Sequence, residues 1–144
     1  MNQSGFSLIE LLLSVMILTL LTGLSLPVLE SFVRRNDLDL TTQSIASSVR
    51  RAATYARGVK ADNTWGVRFT TSTVTLFEGA SYATRNTISD ETVPIPGSMT
   101  LSGTSEIVFS KLTAAPSGTA SVTLNSTTND TRTITVNADG MVNY

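Results

Sequence analysis

The sequence predicts an α+β fold: a long N-terminal helix, apolar in its first half and amphipathic in its second, packed on an antiparallel β-sheet head. Three observations predict it. Residues from Phe6 to about Val33 are apolar almost without interruption. Leu38, Ile45, Val49, Ala52, Ala53 and Ala56 then recur at helical spacings of three, four and seven. After Asn63 the composition turns to Thr, Ser, Val and Gly in short alternating runs.

The first segment is hydrophobic on every face and long enough to span a bilayer, which takes about 20 apolar residues as a helix. A cleaved secretory signal needs a basic start and a shorter apolar core. Met1 to Gly5 holds no Lys or Arg, so that reading is set aside. Gly23 and Pro27 fall inside the segment. Proline removes a helical hydrogen bond and clashes with the preceding turn, so a kink is expected between them. In the amphipathic half Arg34, Arg35, Asp37, Asp39, Gln43, Arg50, Arg51 and Arg57 are left for other faces, and Gly58 marks the end.

In the head, Trp65, Val67 and Phe69 alternate with polar or small residues, and Val74 to Phe77 resumes the strand pattern after Thr71 to Thr73, which reads as a hairpin. Gly79 to Glu91 reads as a loop, and Pro94 and Pro96 restrict Val93 to Gly97 to an edge strand or irregular extended piece. Met99 to Leu101, Ile107 to Phe109, Ala120 to Leu124, Arg132 to Val136 and Met141 to Tyr144 are further strands. Turns at Asn125 to Asp130 and Asn137 to Gly140 separate the last three.

At 144 residues the chain holds one modest domain plus an appended segment. Ten Lys and Arg against eleven Asp and Glu give a net charge of -1 and no overall pull toward nucleic acid or anionic lipid. Cysteine and histidine are both absent. This removes the Ser-His-Asp and Cys-His nucleophilic arrangements and the usual zinc sites, so the chain is expected not to be an enzyme and to hold no metal or cofactor.

One residue contradicts the apolar run. Glu10 stands inside it, and a charge deep in hydrocarbon costs about 2.5–3.5 kcal/mol on insertion scales, so such residues usually have a function. Gly5-Phe6-Ser7-Leu8-Ile9-Glu10 resembles the signal sequence of type IV pilins and type II secretion pseudopilins. The resemblance implies that a prepilin peptidase cuts after Gly5 and methylates the new amino terminus of Phe6. It also implies that Glu10 sets its carboxylate against the N-terminal amine of a neighbouring subunit during assembly.

Pro27 falls where many pilins carry a helix-disrupting proline. The implied organisation is a leader over 1–5, a transmembrane and filament-core helix over 6–29, an amphipathic helix over 30–60 and a β-rich head over 61–144. The implied location is the bacterial inner membrane, crossed once, with the head periplasmic or extracellular, and afterwards a pilus or pseudopilus. The partners implied are other pilin or pseudopilin subunits, the prepilin peptidase and the inner-membrane assembly platform.

The head resembles the H-type minor pseudopilin domain, shared with FimT-like minor pilins. The residues concerned are Trp65-Gly66-Val67-Arg68-Phe69, Phe109, Gly118, Thr133-Ile134-Thr135-Val136 and Asp139-Gly140-Met141-Val142. A minor subunit is therefore expected, with a major subunit as the alternative. Two features depart from the pilin pattern: the leader has no basic residue, and Arg34 and Arg35 follow the apolar run, where the positive-inside rule favours the opposite orientation.

Arg50, Arg51, Arg57 and Lys60 near the helix end form a candidate contact for DNA phosphates, which would make the chain an anchored nucleic-acid or ligand-binding module. A solvated helix face or salt bridges account for the same cations.

Overall fold

The computed structural model describes residues 5–144; within the long helix, the side chains of residues 24–30 lie outside the described set. That helix, α1, runs Leu8–Arg57. The chain divides into two compact units, Met1–Asn36 and Asp37–Tyr144.

In the first unit the Ser7 carbonyl accepts from the amides of Glu10 (3.0 Å) and Leu11 (3.2 Å), which starts the helix. The few hydroxyls in the apolar run are satisfied by their own backbone: Ser14 donates to Glu10 O, Thr19 to Met16 O and Thr22 to Leu18 O. Internal satisfaction lets polar side chains sit in an apolar stretch at little cost.

In the second unit the predicted stripe of α1 is the buried one. Leu38, Ile45, Val49, Ala52 and Ala56 are fully buried together with Ala46, and Ala53 packs against the same core. Thr42 and Ser48 are buried too, their hydroxyls donating to Leu38 O (2.7 Å) and Ser44 O (3.1 Å).

The helix ends at Arg57, where Gly58 places it, yet the left-handed residue is not the glycine. Gly58 N still donates to Thr54 O, and the chain reverses at Val59 (φ 55°), followed by Ala61 and Asp62 (φ 57° each). A β-branched residue there is costly. Tertiary anchors hold the turn: Leu112 N donates to Ala56 O (3.0 Å), the Trp65 indole to Lys60 O (2.9 Å), and Lys111 pairs with Asp62.

The strands are β1 (Trp65–Phe69), β2 (Thr73–Glu78), β3 (Asn86–Pro94), β4 (Met99–Gly103), β5 (Glu106–Phe109), β6 (Ala120–Ser126), β7 (Thr131–Val136) and β8 (Val142–Asn143). They form two four-stranded antiparallel sheets, β3-β2-β1-β5 and β4-β6-β7-β8. Inward side chains of both sheets and the α1 stripe share one core, which includes Trp65, Val67, Leu76, Ile107, Phe109, Leu124 and Ile134. The expected hairpin is β1–β2, with Trp65 opposite Glu78 and Phe69 opposite Val74. Gly66 faces both Phe77 and β5: a Cβ there would lie 2.5 Å from Phe77 Cζ and 2.8 Å from Ile107 O, closer than real Cβ atoms approach.

Two expectations are corrected. The segment Gly79 to Glu91 is not all loop: after a 3₁₀ turn at Tyr82–Thr84, β3 begins at Asn86 and pairs along β2. As an edge strand it is held by backbone bonds and ion pairs and buries no full apolar face, so it carries no alternating pattern. The strands also divide between two sheets, where a single sheet was expected, because which strands pair is decided by tertiary contacts that residue periodicity does not encode.

Candidate functional site

The site suggested by the sequence lies at the start of α1. Gly5 is exposed and unencumbered, with nothing within 4 Å of where a Cβ would stand, so its peptide bond to Phe6 is sterically open. Phe6 is 82% exposed, two residues ahead of the helix. Glu10 lies in the first helical turn, exposed, where a carboxylate interacts favourably with the positive end of the helix dipole. Every apolar side chain from Phe6 to Leu21 is at least 49% exposed. Such a surface, apolar all round, calls for lipid or other helices to cover it. Among the described residues no helix is long and apolar enough to cross a membrane. The described side chains of the apolar run stop at Gly23, short of the about 20 residues a span requires. Gly23 is exposed; Pro27, the other residue of the expected kink, lies outside the described residues, as does the leader before Gly5.

Residues 1–26 match a family model described as the prokaryotic N-terminal methylation motif. The chain carries the pilin-type methylation motif. It supports a type IV pilin-like or pseudopilin protein, processed by the prepilin peptidase and assembled with other pilins. No curated protein and no solved structure matches the chain.

In this pilin-like chain the four candidate DNA-contacting cations are not gathered on one surface. Arg50 donates to Val142 O (3.0 Å) and lies 5.0 Å from the Tyr144 ring centroid, at the β8 edge of one sheet. Arg51 pairs with Glu91 on β3, at the edge of the other sheet. Lys60 Nζ stands 3.6 Å from the Tyr55 ring centroid and 4.8 Å from that of Trp65. Arg57 is exposed in the last helical turn. Three of the four are therefore occupied inside the head, fastening α1 and its exit to the strand edges. Asp90 and Glu91 are likewise taken, by Arg85 (2.8 Å) and Arg51.

A hub that the sequence did not signal is Glu78, only 7% exposed at the end of β2. Its carboxylate accepts from Ser89 Oγ (2.6 Å), Asn86 Nδ2 (3.2 Å) and Asn63 Nδ2 (3.2 Å), and so ties the helix exit to β3. The Ser89 hydroxyl, then the Asn63 amide, hold its pKa below the ordinary 4.5 against the opposing effect of burial, with Asn86 and the Lys60 charge adding to the lowering. A depressed carboxylate stabilises the fold above its unfolded pKa, and that stability is lost as pH falls through the folded value. The head should therefore weaken on acidification below about pH 4.5. Glu78→Gln should be less stable than the parent at neutral pH and show a shallower acid-side loss in unfolding curves measured across that range.

Proposed function

We propose that this protein is a non-enzymatic structural subunit of a type II secretion pseudopilus or type IV pilus, of the H-type, FimT-like minor group. It is made as a prepilin in the inner membrane, which its apolar helix crosses once, with the head periplasmic or extracellular. Cleavage after Gly5 and methylation of Phe6 release the mature chain to the assembly platform. Glu10 then pairs with the amine of a neighbouring subunit, which offsets the cost of burying either charge alone.

The observation that carries this reading is the ring of exposed apolar side chains from Phe6 to Leu21, broken by one acid in the first turn. One surface can face lipid before assembly and neighbouring helices after it. The binding-module reading is the weaker, since Arg50, Arg51 and Lys60 have partners within the head. The major-subunit reading draws support from one feature, a projecting isoleucine and an apolar pocket at opposite ends of one sheet.

Filaments sheared from cells test the reading. The mature chain should be present in them at low abundance relative to the principal subunit. Its absence from filaments while present in the membrane would exclude the subunit role, and dominance of the preparation would make it the major subunit.

A further inference from the structure

We propose that Ile88 of one copy docks into the pocket between the ends of β1 and β4 of a second copy, as a head-to-head contact along the filament. The inference rests on the filament-subunit reading and, within it, on two copies lying side by side.

The projecting half is a bulge in β3. Leu76 pairs with Glu91 and Glu78 with Asn86, so residues 87–90 stand opposite Phe77 alone. Ile88 at their centre is 93% exposed, the most exposed large apolar side chain described in the protein. Both flanks are fixed. Ile88 N donates to Asn86 Oδ1 (3.2 Å), Asn86 and Ser89 are bound by the Glu78 carboxylate, and Arg85 Nε donates to both Asp90 oxygens (3.1 and 2.8 Å). A short, branched side chain on a rigid mount loses little conformational freedom on docking.

The receiving half is a pocket of about 170 Å³ floored by Phe69, Leu101 and Val122. For scale, a cavity of about 150 Å³ lined by apolar side chains accepts a benzene ring. The hydroxyls at its rim are already used. Thr70 Oγ1 bonds Thr73 O and Oγ1, Thr104 Oγ1 accepts from Ser121 N, and Ser102 Oγ bonds Thr123 O and Asn125 Nδ2. With its polar groups engaged in the fold, the pocket suits an aliphatic side chain better than a sugar or an ion.

The two halves lie at opposite ends of one sheet. Glu78 and Asn86 border the bulge at the Trp65 end of β1, beside the last turns of α1, whereas the pocket opens at the Phe69 end. A translation along the strands brings the projection of one head to the pocket of the next. A head-to-tail contact of this kind does not close on itself and propagates as a filament. One side chain and a rim bury far less than the about 1,200–2,000 Å² of a stable free complex. A soluble partner is therefore a poor occupant. A neighbour already held by the helical polymer is a good one, because tethering raises its effective concentration.

The chain has no cysteine, which gives a clean background for cross-linking the full-length protein in assembled filaments. Cells carrying both Ile88→Cys and Thr71→Cys in one chain should yield, on mild oxidation, a ladder of disulfide-linked multimers absent from either single variant. Cells co-expressing the two single variants should yield the mixed dimer. Filaments that form normally but give neither product would overturn the contact while leaving the subunit reading intact. A parent chain that never enters filaments would overturn both. If the double variant does not assemble, the co-expressed single variants decide by the same criterion.

Discussion

Glu10→Gln is expected to exclude the chain from filaments while leaving it in the membrane with its head folded. The carboxylate stands in the first turn of α1, amid side chains that are all apolar and outward-facing, so assembly buries it. Removing one partner of a buried ion pair costs about 3–5 kcal/mol, because the other charge is left unpaired. At about 1.4 kcal/mol per factor of ten, incorporation falls by a hundredfold or more. The measurement is the ratio of variant to parent chain in sheared filaments, normalised to the membrane fraction. Equal ratios would remove Glu10 from the assembly mechanism. The head should be unaffected, since the stripe that packs it begins at Leu38.

The largest effect on stability is expected at Trp65. It is 1% exposed, its ring meets Tyr55 edge-on at 4.8 Å, and its indole N–H bonds Lys60 O across the strained exit of α1. Trp65→Ala removes the core volume, the aromatic contact and the hydrogen bond that secures that turn. Substitutions of this kind cost about 3–5 kcal/mol, a large fraction of the about 5–15 kcal/mol by which domains are stable. Trp65 is the sole tryptophan, so the comparison is made by circular dichroism on the full-length chain in detergent, following denaturant unfolding. A loss below about 1 kcal/mol would show that the head does not depend on this anchor.

The parts legible in the sequence share one property: each is signalled by residues close together in the chain. The α1 stripe from Leu38 to Ala56 follows a 3.6-residue period, and the β1–β2 hairpin follows a two-residue one. The methylation motif is a short local string, read from Gly5, Phe6 and Glu10 without any tertiary information.

What escaped reading depends on partners distant in sequence. β3 is an edge strand whose polar residues are held by β2, Arg51 and Glu78, so its own residues carry no apolar alternation. Glu78 became visible as a hub only once Asn63, Asn86 and Ser89 were brought around it. The left-handed residue past the helix is Val59 because Ala56, Lys60 and Asp62 are anchored from β1 and the segment after β5, an arrangement that outweighs the local preference for Gly58. The cations Arg50, Arg51 and Lys60 look like an exposed cluster in the sequence. They separate in the fold because successive helix positions point to different sheet edges.

The central claim is that this chain is processed as a prepilin, and the mass of its amino-terminal peptide, from protein made in cells with an active prepilin peptidase, tests it most directly. The account predicts a mature chain that begins with N-methylated Phe6 and lacks Met1 to Gly5. A chain that keeps those five residues, or begins at an unmethylated position elsewhere, would contradict it.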